Sequence, residues 1–213
     1  MSKLSDNSPK SMVQDDLAKA FIESSSFLWK KEPEFTLSSG RKSPYYVNCK
    51  SFLSHPHNRE LVGRLISARL KPLLHEIDII GGMAIGAIPI ATIASDMVFR
   101  ETKKALRTFA VRKDGAKGHG LHLSIEGDIV RGDRAVVVDD VLTTGQSTAD
   151  AIFEMKEAGV EVKFALVIVD RGEDNGKAKI ESDGIQLLSL LTLEGLKRKY
   201  QEMSPSDAPL LHV

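Results

Sequence analysis

Two adjacent carboxylates, Asp139 and Asp140, close the β-branched run Val136-Val137-Val138 and are followed by Val141, Leu142, Thr143, Thr144, Gly145, Gln146 and Ser147. Acids in that place accept hydrogen bonds from hydroxyls. The backbone N–H groups of Thr143, Thr144 and Gly145, at the start of a helical pattern, form a cradle that suits phosphate. Unpaired donors and the positive end of the helix dipole would both point at it. A sugar phosphate satisfies both halves of the motif. Spacing alone leaves an ordinary acidic turn equally open, because Asp favours turns and helix N-termini.

Three further groups bear chemistry. Arg112-Lys113-Asp-Gly-Ala-Lys117-Gly-His119-Gly is basic and glycine-rich. Such a loop can hinge closed over a polyanion, exclude water and strengthen each charge contact; a solvated basic loop has the same composition. Arg171 ends an apolar run, where a guanidinium can meet a carboxylate bidentately or form a surface ion pair. Tyr45 and Tyr46 follow a Gly/Ser/Pro turn and offer aromatic surface to a planar ring. For metals, His55 and His57 flank Pro56, and His119 lies near His122. A solvated turn suits the first pair better, and a mobile loop is a poor place for a fixed metal site.

The elements that must position these groups follow from periodicity. Residues 1–11 are polar and read as a disordered tail. Met12 to Leu28 has apolar residues at helical spacing. Phe35 to Asn48 reads as a hairpin-like hood around its turn. Asn58 to Leu74 reads as a helix with Asn58 as its cap and Pro72 fraying its end. Ile77 to Gly82 is strand-like, and Gly81 and Gly82 would let backbone approach a ligand or simply pack. Pro89 fits the first turn of a helix running to about Arg100. Leu106 to Val111 is a strand, and Leu123 to Asp133 a turn-rich return. The strand through Val136–Val138 feeds a helix from Ser147. Glu161 to Asp170 and Ile185 to Leu191 are strands, Thr192 to Tyr200 a helix, and 204–213 a tail. Alternating strands and helices predict an α/β fold with a doubly wound, mostly parallel sheet. The expected organisation is a tail over 1–11, helix and hood over 12–57, the α/β core over 58–203, and a C-terminal tail over 204–213.

The segment Val-Val-Val-Asp-Asp-Val-Leu-Thr-Thr-Gly-Gln-Ser resembles the phosphoribosyl diphosphate (PRPP) signature of type I phosphoribosyltransferases. The stretch Phe35-Thr-Leu-Ser-Ser-Gly-Arg-Lys-Ser-Pro-Tyr-Tyr46 resembles the hood of the orotate phosphoribosyltransferases, and the basic loop resembles their mobile catalytic loop, one residue longer here between Lys113 and Lys117. The resemblance implies a small N-terminal hood on the type I fold and transfer of phosphoribose from PRPP to orotate, giving orotidine 5′-phosphate and pyrophosphate in pyrimidine biosynthesis. It implies that Asp139 through Ser147 bind PRPP, joined by Arg112, Lys113, Lys117 and His119, which also serve catalysis. It places Thr143, Arg171, Tyr45 and Tyr46 at orotate. Mg²⁺ would be held mainly through PRPP rather than by protein ligands, and a homodimer would share its active sites through the basic loop. Two departures stand out: Ser38 and Gly86 occupy positions where many relatives carry a basic residue. A purine-specific enzyme and a non-catalytic PRPP-sensing regulator are the alternatives.

Composition sets the remaining bounds. The chain has 213 residues, 42% hydrophobic and 27% charged, with 29 basic and 29 acidic side chains. That balance suits one globular α/β domain and gives no sign of a nucleic-acid or membrane-surface binder. One cysteine, Cys49, and an N-terminus without an apolar leader lead to the expectation of a reducing, cytoplasmic location.

Overall fold

The computed structural model describes residues 9–36, 40–112 and 125–204. A six-stranded sheet forms its centre: β5 (Ile79–Met83), β6 (Arg107–Val111), β7 (Ile125–Gly127), β8 (Arg134–Leu142), β9 (Glu161–Asp170) and β10 (Gln186–Thr192), in the order β10-β9-β8-β5-β6-β7. Every pairing is parallel except that of β6 with the edge strand β7. The mostly parallel α/β expectation therefore holds.

Residue alternation divides the core in two. Ile80, Val136, Val138, Leu166 and Ile168 pack on one face with α3 (Pro56–Leu70) and α4 (Ala87–Thr102). Ile79, Ala135, Val137, Ala165 and Val167 pack on the other with α5 (Gln146–Glu157) and α6 (Gly176–Glu181). Strands covered on both faces need no polar alternation, which is why β8 and β9 read as continuous apolar runs. From β5 the chain crosses through α4 to β6; β8, on the other side of β5, sends its helix α5 to the opposite face. The sheet thus has a switch point between β5 and β8, the place where open α/β sheets bind ligands.

Gly81 and Gly82 are explained inside the sheet. A Cβ on Gly81 would lie 2.1 Å from the Phe109 carbonyl oxygen, and one on Gly82 would lie 2.1 Å from that of Val138. Of the two roles open to these glycines, packing against neighbouring strands is the one the fold displays.

The N-terminal region departs from expectation. Helix α1 spans Pro9–Glu23, so it starts inside the segment read as a tail and stops short of Leu28. Three serines end it. Ser24 Oγ donates to the Ala20 carbonyl at 2.7 Å, Ser25 takes φ +53°, and Ser26 N bonds the Phe21 carbonyl at 2.9 Å. Local side-chain bonds compete with helix continuation. The chain then turns into β1 (Phe27–Trp29), paired antiparallel with β4 (Tyr45–Val47), while β2 (Phe35–Thr36) pairs with β3 (Lys42–Ser43) to make the hood. Two short helices were not anticipated, α2 (Cys49–Ser54) and α6. Helix α3 begins at Pro56 with His55 as its cap, so Asn58 is not the cap; its amide instead donates to the Phe52 carbonyl. After α3 a 3-10 turn (Lys71–Glu76) carries Pro72, and α7 (Leu193–Met203), capped by Thr192, closes the described chain. Among the described residues no helix is long and apolar enough to cross a membrane, and no group of His, Cys, Asp and Glu side chains could hold a metal ion.

Candidate active site

Strand β8 delivers Asp139 and Asp140 to the switch point, and its period of two sends them to opposite faces. Asp139 follows Ala135 and Val137 toward α5, where one carboxylate oxygen accepts from Thr148 Oγ1 at 3.0 Å and the other from Asp140 N at 2.9 Å. Asp140 follows Val136 and Val138 toward α4. A Cβ added to Gly86 would stand 3.5 Å from its carboxyl carbon, and its Oδ1 accepts from Val141 N at 2.8 Å. Burial, then the neighbouring Asp140 charge, pushes Asp139 up to about 7, against the hydrogen bonds from Asp140 N–H and Thr148 that favour its charged form. The pair therefore offers one half-buried acid, Asp140, and one largely buried acid, Asp139.

The cradle follows. Gly145 holds φ +72° and stands at the cap position of α5, where it has no side chain to offer the helix. Thr144 Oγ1 accepts from Gln146 N at 3.3 Å. Gln146 donates to Asp150 at 2.5 Å and accepts from Lys179 of α6, so its side chain faces α6 rather than the cradle. Helix α6 buttresses the turn from behind: a Cβ on Gly145 would meet the Gly176 carbonyl oxygen at 3.0 Å. An anion at this N-terminus would meet N–H groups and the positive end of the α5 dipole.

A cleft of about 370 Å³ runs from the carboxylates to the hood. Asp139, Asp140, Val141, Thr143 and Ser147 line one side, and Arg171 with the hood and α2 residues Thr36, Tyr46, Asn48, Cys49 and Lys50 line the other. Arg171, only 6% exposed, is placed by β9, and its backbone N–H bonds the Leu142 carbonyl at 3.0 Å. Its Nε and Nη2 donate to Glu173 at 3.1 and 3.3 Å, and Nη2 also donates to Ser43 Oγ at 2.9 Å. Burial of the Cys49 thiol, then the charges of Asp140 and Asp139, raises its pKa well above the usual thiol range, so it stands as a protonated, weakly polar wall.

Strand alternation also separates the two tyrosines. Tyr46 lines the cleft and stacks on Phe35, with ring centroids 5.4 Å apart. Tyr45 turns away into a cluster with Phe27, Trp29 and the Lys197 ammonium, so its ring is not part of the cleft wall. Arg41 is engaged elsewhere, donating bidentately to Asp174 at 2.7 and 2.6 Å, whereas Lys42 reaches Thr36 Oγ1 at 2.8 Å at the rim. Arg112 pairs with Glu126 of β7 at 3.3 Å and does not line the cleft. Lys113, Lys117, His119, His122 and Ser38 lie outside the described residues.

Sequence reasoning missed Asn48, Cys49 and Lys50. Asn48 Oδ1 caps α2 by accepting from Ser51 N at 3.0 Å. An Asn ahead of a short helix is the signal that would have found them.

Residues 48–187 match the phosphoribosyl transferase domain. The chain is 36% identical over 184 residues to an orotate phosphoribosyltransferase of Pyrococcus abyssi, covering 86% of this chain and 95% of that protein. It is 37% identical over 185 residues to one of Aquifex aeolicus, covering 87% and 98%. Its fold matches the crystal structure of a Mycobacterium tuberculosis orotate phosphoribosyltransferase in complex with PRPP at a TM-score of 0.67 and 29% identity, covering 87% of this chain and 99% of that one. With an acidic pair and a glycine turn leading into α5 at a switch point, beside a buried arginine in the same cleft, and with relatives matched along nearly their full length, this chain belongs to the phosphoribosyltransferase family, in its orotate phosphoribosyltransferase group.

Proposed function

We propose that this chain transfers the 5-phosphoribosyl group of PRPP to orotate, giving orotidine 5′-phosphate and pyrophosphate, a step of pyrimidine biosynthesis. The observation that carries this reading is the pairing in one cleft of the Asp139–Ser147 strand-loop-helix with the nearly buried Arg171 guanidinium. The amides of Thr143, Thr144 and Gly145 and the Ser147 hydroxyl hold the 5-phosphate. Asp140 accepts from a ribose hydroxyl, as does Asp139 when ionised. Arg171 meets the orotate carboxylate through Nη1, the nitrogen that neither Glu173 nor Ser43 engages. Thr143 and Tyr46 bound the ring; Tyr45 acts by supporting β4 from behind.

In the reaction the anomeric carbon–oxygen bond to pyrophosphate breaks as the bond to the orotate ring nitrogen forms, through an oxocarbenium-like transition state. No protein nucleophile is needed, and catalysis is positioning plus stabilisation of developing charge. Arg112, Lys113, Lys117 and His119 stabilise the departing pyrophosphate. Mg²⁺ fits this donor set only in part. Asp140 is only half-buried and gives one carboxylate oxygen to Val141 N, but burial disfavours the charged form of Asp139, so the ion would be held mainly through PRPP oxygens. Bound there, it would supply charge neutralisation on the pyrophosphate. A homodimer sharing its sites completes the reading; Ile88 and Phe99 on one face of α4, with Ile85 beside them, are exposed apolar side chains available to a second copy.

The direct test is pyrophosphate release from PRPP with Mg²⁺ and, in turn, orotate, uracil, adenine and xanthine. Release with orotate alone is expected. Release with a purine in preference to orotate would overturn the reading. Lys117→Ala should lower turnover far more than it weakens orotate binding.

A further inference from the structure

Arg171 is the link between the two halves of the cleft, and its restraint comes from both. Its Nε and Nη2 meet Glu173, two residues on in the same turn. The remaining Nη2 hydrogen goes to Ser43 Oγ, 128 residues away on the hood strand β3. That hydroxyl is itself held, accepting from Tyr45 N at 3.1 Å, and Ser43 is only 4% exposed. A second tie joins the same two segments, Arg41 of the hood to Asp174. The guanidinium plane is therefore set by an acid on the core and a hydroxyl on the hood, and Nη1 is the edge left over. A guanidinium recognises a carboxylate through a planar, directional fork, so the plane's orientation decides which anions it meets well.

We propose that Ser43 is a positioning residue for base specificity: by holding Nη2 of Arg171 from the hood, it aims Nη1 at an anionic substituent of the base. This rests on the orotate reading above. Ser43 is a sharper probe than Glu173, because removing the hydroxyl changes no charge. Without it, a buried N–H of a charged group loses its acceptor, and the guanidinium is free to turn about the Glu173 contact.

The test uses the full chain and steady-state kinetics with orotate, PRPP and the carboxylate-free base uracil. Ser43→Ala is expected to raise the orotate KM about tenfold, the order of one charge-assisted hydrogen bond, while the PRPP KM and kcat stay within about twofold. Selectivity for orotate over uracil, measured by competition, should fall by the same factor. Ser43→Cys, close in size but a weak acceptor, should behave like Ser43→Ala, and Ser43→Thr should restore most of the loss. If wild type releases pyrophosphate with orotate but Ser43→Ala leaves the orotate KM unchanged, or raises both KM values equally, the positioning role is wrong and the orotate reading stands. If wild type shows no orotate-dependent release, the orotate reading itself fails.

Discussion

Gly176 at the start of α6 and Thr143 in the turn ahead of α5 are packed so closely that a Cβ on the glycine would stand 2.2 Å from the threonine carbonyl oxygen. Both partners at that contact are backbone, so neither can swing aside. A methyl at position 176 must push the Thr143–Gly145 turn or displace α6. Overpacking of this kind typically costs about 1–3 kcal/mol. Gly176→Ala should lower the melting temperature and raise the PRPP KM more than the orotate KM, because the moved amides are the ones assigned to phosphate. Equal shifts in both KM values would mean that α6 does not buttress the cradle.

The contact of Asp139 with Thr148 carries a pH signature. The folded carboxyl is raised to about 7 from an ordinary 3.8, mainly by burial. A folded state that holds its proton more tightly than the unfolded chain loses stability as pH rises from about 4 to about 7, and the loss is complete above that. Asp139→Asn removes the ionisable group and keeps the shape, and the Thr148 hydroxyl can turn to accept from the new amide. The variant should be more stable than wild type at pH 8, on the order of a few kcal/mol, with the gap closing near pH 4. Activity should fall in the same variant, since an acceptor for a ribose hydroxyl is weakened. Thermal melts across that pH range check the first claim; a gap independent of pH would refute it.

The cleft's own cations divide by whether they are already engaged. Arg41 is clamped on Asp174, whereas among the described residues Lys50 lines the cleft with no ion-pair partner, and Lys42 holds only the Thr36 hydroxyl at its rim. A polyanionic substrate meets free charge more strongly than paired charge. Lys50→Ala and Lys42→Ala should each raise the PRPP KM several-fold, with an effect that shrinks as salt is added. Arg41→Ala should instead change PRPP binding little. Its side chain is half exposed, so stability should drop by no more than about 1 kcal/mol. Initial rates at low and high ionic strength separate the two classes.

How far the residues disclosed these arrangements depended on the range of the interactions. The run Val136–Val138 and the turn Thr143–Gly145 were legible because burial on both faces and a helix start are local patterns. The same alternation, carried on, places Asp139 and Asp140 on opposite faces and Tyr45 and Tyr46 on opposite sides of β4. That step needs the strand's register, which the local pattern did not disclose. The end of α1 at Glu23 depended on three serines competing with the helix. The Arg171–Ser43 and Arg41–Asp174 ties join positions more than a hundred residues apart, so nothing in either local sequence announces them. Gly81 and Gly82 carried an ambiguous signal, since close approach to a neighbouring strand and close approach to a ligand demand the same residue.

The register of β8 is itself anchored at the opposite end of the sheet, by Arg134 and Asp78. Arg134 Nε and Nη2 donate to the two Asp78 oxygens at 2.8 Å each, its backbone N–H adds a third bond at 3.1 Å, and Nη1 reaches the His75 carbonyl at 2.6 Å. The Arg134 side-chain bonds, more than anything else, hold the Asp78 carboxyl well below the usual range. A carboxylate depressed in the folded state adds stability that is present above its unfolded value of about 3.8 and is lost as pH falls through that value toward the folded one. Asp78→Asn keeps one acceptor but loses the charge and the fork. Because both side chains are about one-third exposed, the loss at pH 7 should be modest, about 1–2 kcal/mol. The deficit relative to wild type should narrow as melts are taken from pH 7 down to pH 2, where wild type has lost most of the same contribution. A deficit that stays constant through that range would show that Asp78 acts by shape alone and that its charge does not hold β8 in place.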